Sequence, residues 1–407
     1  MNSTPAIPKS VTVKAGHVQP LWAGHPWVFR QAVERLDDGL VAGDEVIVVD
    51  PHGKILGRGL YSPSSAIAVR LFTSQGKVAI DGSLLRERLE RAVALRRGHG
   101  LADERPGRET TGYRLVHGEG DGLPGLIVDA FGDTLVVQFG TAGLKRLENE
   151  IADALTEVVG PKAIIDRTPV NVARQEGFTL AEGELRMVRG DAPPALSFME
   201  RGLKYELPID VAQKTGFYFD QRPLRDRIEA LSRGSRVLDA CCYVGPIAMA
   251  AARGGAKEVW AVDTSVKAIE AGKAAAALNG LEVKFEATES QKAFKTAADE
   301  GGWDVVICDP PKLAKKRKHK GKAGGGYRKL AAAACGATAP GGLLAFCSCS
   351  AAVGMDALQR QLALGARDAG RHAILVDRCF QGVDHPVPAA FPEGLYLKVL
   401  IARVEVV

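Results

Sequence analysis

The chain has 407 residues, 46% hydrophobic and 25% charged, with a formal net charge of +5. That make-up excludes a largely disordered protein, and a length of this order allows two to four domains of roughly 100–200 residues each. Residues 1–10 lack the apolar stretch of a signal peptide and no uninterrupted apolar run approaches the ~20 residues of a membrane span, so a cytoplasmic location without a membrane partner is expected.

Seven cysteines stand at positions 241, 242, 308, 335, 347, 349 and 379, and the first 240 residues have none. Six of them lie in or near apolar or Ala/Gly-rich segments, which suits reduced thiols. Paired Cys-x-x-Cys sets are missing, so no metal site is expected. Cys347 and Cys349 form a lone C-x-C, which says little about metal.

Residues 9–76 read as short strands joined by turns. Val11 and Val13 alternate with polar residues, and the runs Asp44 to Asp50, Lys54 to Tyr61 and Ile67 to Phe72 follow. A small all-β unit, a compact barrel, is expected here. From Gly82, Leu84, Leu85, Leu89, Val93 and Leu95 recur at helical spacing up to about residue 98. Residues 113–189 carry strand-like runs at Gly125 to Asp129, Thr134 to Phe139 and Lys162 to Asp166, with a helix at about 144–158. Asp191-Ala-Pro-Pro reads as a linker.

From about residue 197 the pattern becomes strand–helix alternation. Runs at Val237–Leu238, Val259–Val262, Val283–Phe285, Val305–Ile307 and Leu343–Phe346 read as buried parallel strands. Ala-rich stretches at 246–253, 266–279 and 327–337 read as the helices between them. The fold class is therefore α/β, with a doubly wound, mostly parallel Rossmann-like sheet.

Ligands of open α/β sheets bind outside the carboxyl ends of the strands. The loop from Arg236 to Pro246 is such an end, and Asp263 closes the next strand 24 residues after Asp239. An acid at that distance suits a ribose diol. The loop holds one glycine, Gly245, where a dinucleotide wants three, and Cys241 and Tyr243 would hinder a pyrophosphate. A cofactor with a ribose and no phosphates fits better, and S-adenosylmethionine (SAM) is such a molecule. Asp239 is then expected near the methionine end, Glu289 near the adenine, and Cys242, Tyr243, Gly245, Asp263 and Ser265 around the cofactor. A helix N-cap role for Asp263, followed as it is by Thr264 and Ser265, and plain packing of Cys241, Cys242 and Tyr243 are the competing readings.

Two further strand ends carry chemistry. Asp309-Pro310-Pro311-Lys312 ends one apolar run, and Ser348-Cys349-Ser350 ends another. Carbon 5 of a pyrimidine is a poor nucleophile. A thiolate that adds to carbon 6 makes it reactive, and an acid that hydrogen-bonds the ring near N3 supports the charge that builds there. Cys349 and Asp309 suit those catalytic roles. Lys312 cannot stack a base, which weighs against amino-group methylation. Lys315, Lys316, Arg317 and Lys318 begin a run with six cations in eight residues, expected to contact RNA phosphates together with Lys312, with a merely solvated loop as the alternative.

These residues resemble the SAM-dependent large-subunit ribosomal RNA cytosine carbon-5 methyltransferases that carry an N-terminal PUA domain. His25-Pro26-Trp27-Val28-Phe29 and Gly59-Leu60-Tyr61-Ser62-Pro63, with Ser65 and Arg70, look like its PUA segment. Glu119 to Gly125 looks like the middle domain. Lys214-Thr215-Gly216-Phe217-Tyr218-Phe219-Asp220-Gln221-Arg222 is the most specific match, and Asp384-His385-Pro386 and Pro392 to Lys398 close it. The resemblance implies an RNA-binding PUA-like domain over 1–77, an α+β middle domain over 78–190 and a methyltransferase domain over 191–407. It implies that Phe217, Gln221 and Arg222 line the cofactor pocket, that Asp309 touches cofactor as well as target, that Cys349 is the nucleophile, and that ribosomal RNA is the partner. A homodimer is left open. The chain departs from the family's Tyr-Thr-Gly-Gly with Tyr243-Val244-Gly245-Pro246, and Ala331 replaces an asparagine. Methylation of another RNA atom, such as a guanine nitrogen, and an inactive RNA-binding assembly factor stand as alternatives.

Overall fold

The computed structural model describes residues 8–102, 105–181, 185–313 and 320–407, and of 320–323 the backbone alone. The basic run Lys315, Lys316, Arg317 and Lys318 lies outside the described residues. The chain divides into two compact units. The first comprises Met1–Leu203, Ala212–Phe217 and Val383–Gly394, and the second Lys204–Val211, Tyr218–Gly382 and Leu395–Val407.

The first unit begins with β1 (Lys9–Val13), a short helix α1 (Val18–Trp22), β2 (Trp27–Phe29), β3 (Val33–Leu36), β4 (Glu45–Val49), β5 (Ile55–Tyr61) and β6 (Ile67–Thr73). They form one sheet in the order β2-β6-β5-β4-β1-β3. Valines at i and i+2 (Val11 and Val13, Val46 and Val48) turn inward to a core shared with Leu21, Tyr61 and Val69. Gly59 is required where β5 lies against β6, because a Cβ there would sit 2.2 Å from the Arg70 carbonyl oxygen.

Helix α2 (Gly82–Gly98) starts where the Asp81 carboxylate accepts from the backbone N–H groups of Ser83 and Leu84. Its leucines pack on a second sheet of β7 (Gly112–His117), β8 (Leu126–Phe131), β9 (Thr134–Phe139), β10 (Ala163–Asp166) and β11 (Arg186–Arg189), ordered β11-β10-β9-β8-β7. The helix expected at 144–158 is two, α3 (Ala142–Arg146) and α4 (Glu148–Val159), because Leu147 leaves helical geometry between them. The short α5 (Val170–Glu176) follows β10. Buried charges stitch this unit together. Arg96 pairs with Asp121 and donates to the Asp384 carbonyl at 2.8 Å, and Arg114 grips Asp129 with two hydrogen bonds.

A two-stranded hairpin follows in the chain, β12 (Leu196–Glu200) and β13 (Leu203–Leu207). There follow α6 (Arg222–Leu231), β14 (Arg236–Ala240), α7 (Pro246–Arg253), β15 (Glu258–Asp263), α8 (Val266–Leu278), β16 (Lys284–Ala287), α9 (Ser290–Asp299), β17 (Trp303–Cys308), α10 (Lys320–Ala337), β18 (Thr338–Ser348), α11 (Met355–Asp368), β19 (Arg371–Cys379) and β20 (Lys398–Val406). The sheet order is β16-β15-β14-β17-β18-β20-β19. β14 to β18 run parallel, and β20 runs antiparallel to both β18 and β19. The doubly wound, mostly parallel expectation holds, and the antiparallel pair was not anticipated. The central strands are apolar runs buried on both faces, with Leu238, Val306, Leu344 and Phe346 packed among Phe294, Tyr327 and Leu358 from the helices. Among the described residues no helix is long and apolar enough to cross a membrane.

Candidate active site

The strand order reverses direction between β14 and β17, so their carboxyl ends open the crevice where an α/β sheet takes ligands. The loop from β14 to α7 is unusual. Cys241, Tyr243 and Gly245 all have left-handed backbone, with φ of 65°, 55° and 71°. For the two non-glycines this costs roughly 1–2 kcal/mol each, and such strain collects at functional sites. A Cβ on Gly245 would lie 2.5 Å from the Phe285 ring, so only glycine fits. Pro246 takes the first helical position of α7, which needs no N–H donor.

Asp239, the penultimate residue of β14, is almost wholly buried. One carboxylate oxygen accepts from the Ala248 N–H at 3.0 Å, and the other, Oδ1, has no hydrogen-bond partner in the protein. Burial pushes its pKa up to about 7, and Asp309 and Asp263 push the same way. The carboxylate of Asp263 accepts from the N–H groups of Tyr243 and Ser265, each at 2.9 Å. Ser265, not Asp263, is the cap of α8, accepting from the Ala268 N–H at 3.2 Å. Cys242 is buried, with its thiol directed at the Tyr243 carbonyl. The rings of Tyr243 and Tyr218 meet edge to face at 5.5 Å, and the Tyr243 hydroxyl donates to the Val211 carbonyl at 3.2 Å. Glu289 is exposed, at the residue before α9.

The segment Lys214–Arg222 straddles the boundary of the two units. Phe217 belongs to the first, where its ring packs edge-on against Phe198. Gln221 and Arg222 belong to the second and are buried. The Gln221 amide donates to Asp309 Oδ2 at 2.8 Å, while its carbonyl oxygen is buried without a hydrogen-bond partner. The Arg222 guanidinium lies over the Phe219 ring. β14, β17 and the start of α6 thus bring Asp239, Asp309, Gln221 and the strained loop together.

Asp309 follows β17, and Pro310 and Pro311 remove the next two N–H donors. Cys349 lies one residue beyond β18, adjacent to β17 in the sheet. It is half-buried, as is Cys241, whereas the other five thiols are buried. Burial pushes Cys241 up to about 12 and holds Cys242, Cys308 and Cys347 far above an ordinary thiol. The turn that carries Cys349 is braced on both sides. The Tyr327 hydroxyl and Ser348 Oγ share a hydrogen bond of 2.8 Å, and the Ser350 carbonyl accepts from the Lys398 ammonium at 2.7 Å. Asp309 and Cys349 both act electrostatically on Tyr218 and Tyr327, whose hydroxyl pKa values are raised, mainly by burial. Lys312 is exposed. Sequence reasoning missed the bracing by Tyr327 and Lys398, since neither neighbours Cys349 in the chain.

Comparison with known proteins now places the chain. Residues 181–391 match the S-adenosylmethionine-dependent methyltransferase family model, and residues 11–74 match a PUA-like domain. A ribosomal RNA large subunit methyltransferase I of Erwinia tasmaniensis is 38% identical over 394 residues, covering 96% of this chain and 98% of that relative. One of Shewanella denitrificans is 35% identical over 400 residues, covering 97% and 99%. The chain belongs to the ribosomal RNA large subunit methyltransferase I family. Its cofactor is S-adenosylmethionine. The same fold occurs in a solved structure described as a methyltransferase complexed with SAH (TM-score 0.80, 20% identity, covering 97% of this chain and 99% of that one), and in a SAM-dependent methyltransferase structure from Streptococcus mutans (TM-score 0.79, 20% identity, the same shares). The residues present fit the cofactor. Two buried acceptors without protein partners, Asp239 Oδ1 and Gln221 Oε1, could take its ammonium and N–H groups, and no glycine-rich cradle for phosphates exists in the loop.

Proposed function

We propose that this chain methylates carbon 5 of a cytosine in large-subunit ribosomal RNA through a covalent adduct on Cys349. The observation that carries the reading is the half-buried Cys349 on a braced turn, one strand from Asp309 and two from the strained β14–α7 loop. The relatives described as ribosomal RNA large subunit methyltransferases support ribosomal RNA as the substrate class.

In this reading Asp239, Gln221, Arg222 and the loop Cys242–Gly245 hold SAM, with Asp263, Ser265 and Glu289 toward its adenosine end. When bound, SAM supplies a methyl carbon on a sulfonium, electrophilic enough to be taken by an activated carbon 5. Cys349 adds to carbon 6 of the cytosine, so the ring electrons become available at carbon 5. Asp309, oriented by Gln221, hydrogen-bonds N3 and gives up its proton there as negative charge builds on the ring. Loss of the carbon-5 proton to water after methylation restores the ring and expels the Cys349 thiolate, and N3 returns its proton. Burial of Tyr218 and Tyr327 keeps both phenols neutral, so they add no charge that would oppose the thiolate.

Lys312 and the run Lys315, Lys316, Arg317 and Lys318 are assigned to RNA phosphates, a sequence-independent contribution that falls with salt. The PUA-like domain offers a cavity of about 290 Å³, lined by His25, Trp27 and Phe29 among others, of a kind that suits an unstacked base. The division into domains over 1–77, 78–190 and 191–407 is part of the same proposal. The test is to map 5-methylcytosine in large-subunit ribosomal RNA from cells with the gene, without it, and with Cys349→Ala. One cytosine should lose its methyl group in both altered strains. An unchanged 5-methylcytosine map would overturn the reading.

A further inference from the structure

Lys398 opens β20 and is buried, although lysines are seldom fully buried without a partner. In the antiparallel register of β18 and β20 it pairs with Ser348, the residue before Cys349. Its Nζ donates to the carbonyl of Ser350, the residue after Cys349, at 2.7 Å. The ammonium thus brackets the thiol-bearing residue from the adjacent strand. We propose that Lys398 is a positioning residue for Cys349, holding the Ser348–Ser350 turn and stabilising the thiolate with its positive charge. The assignment rests on the reading of Cys349 as the nucleophile.

The charged groups around this turn set the sign. Asp309 after β17, Tyr218 before α6 and Tyr327 on α10 are coupled to the same cluster. Asp309 offers no positive charge, and burial keeps the two phenols neutral. Lys398 is a cation coupled to Cys349, and the exposed Lys312 couples to Lys398 in turn. Burial pushes the Lys398 ammonium down to about 8, and the Cys349 thiolate pulls it back up. Lys398 is therefore still mainly protonated at neutral pH, where its charge lowers the proton affinity of the neighbouring sulfur.

The test is the pH dependence of Cys349 alkylation by iodoacetamide in the full chain, read peptide by peptide by mass spectrometry. A free thiol is half ionised near pH ~8.5. In the unsubstituted protein the midpoint is expected below that value. Lys398→Met should raise it by about one unit, seen as a roughly tenfold slower alkylation at pH 7, while Lys398→Arg keeps the charge and most of the reactivity. An unsubstituted midpoint at or above the free-thiol value overturns the assignment, and that measurement needs no variant to fold. So do superimposable profiles for the protein and Lys398→Met. A parallel trap with ribosomal RNA containing 5-fluorocytidine separates the two failures. Adduct formation with superimposable profiles removes Lys398 alone, whereas no adduct in the unsubstituted protein removes the nucleophile reading and this one with it.

Discussion

Three side chains carry the chemistry at the residue scale, and each makes a distinct prediction. Cys349→Ala removes one sulfur from a half-buried position, so the thermal midpoint should barely move while methylation falls to background. Thermal melts and incorporation of labelled methyl groups measure the two together. Asp309→Asn keeps an acceptor for the Gln221 amide but has no acidic proton to give up at N3, and should lower kcat by between ~10² and ~10⁴. Asp239 predicts a pH dependence. Its carboxyl keeps its proton up to about 7, and only the ionised form attracts a cationic ligand. Raising the pH from 6 to 8 should therefore tighten SAM binding, and Asp239→Asn should both weaken binding and flatten the part of the slope that Asp239 contributes. Calorimetric titrations of both proteins across that range check this, and identical slopes would remove Asp239 from the cofactor site.

At the scale of elements, the loop between β14 and α7 depends on glycine at one position for two reasons. Gly245 is left-handed, and any Cβ there would strike Phe285. Gly280, with φ of 63° and open space around it, has only the first constraint. Gly280→Ala should cost about 1–2 kcal/mol of stability with SAM affinity intact. Gly245→Ala should cost more and weaken SAM binding as well, as urea unfolding and titration of both variants would reveal. Gly245 was legible in the sequence because it punctuates a strand–loop–helix pattern. The central parallel strands were legible for a related reason: burial on both faces leaves an unbroken apolar run such as Val305–Ile307. Helices α6 and α9 were missed because both are short and their buried faces are poor in large apolar residues: two of the four buried positions of α6 are Arg222 and Arg225, and two of the three of α9 are Ala293 and Ala297. The bracing of Cys349 was invisible for another reason. Lys398 reaches Ser350 only through the antiparallel register of β18 and β20, about fifty residues apart in the chain, and no local pattern encodes that register.

At the scale of the whole molecule, the second unit is assembled from three stretches of chain. Its last stretch contributes β20, which lies inside the sheet between β18 and β19 rather than at an edge. Removing residues 395–407 would expose the ladders of both neighbours and strip Val399, Leu400 and Ile401 from the core. The truncated chain is therefore expected to lose cooperative unfolding, as followed by circular dichroism on heating, and a sharp transition at the original temperature would contradict that view of the sheet. The sequence pattern announced the parallel half of this sheet, and the family resemblance implied a PUA-like segment, which residues 11–74 match. The return of the C-terminus into the middle of the sheet follows from tertiary pairing alone.

The covalent adduct is the centre of the account, and trapping it is the most direct test. Large-subunit ribosomal RNA transcribed with 5-fluorocytidine, incubated with the protein and SAM, cannot lose a proton from carbon 5 after methylation, so the enzyme should remain attached. Digestion and mass spectrometry are predicted to place the nucleotide on Cys349. Attachment at another residue, or ready methylation of unmodified RNA with no adduct on the fluorinated one, would contradict the mechanism.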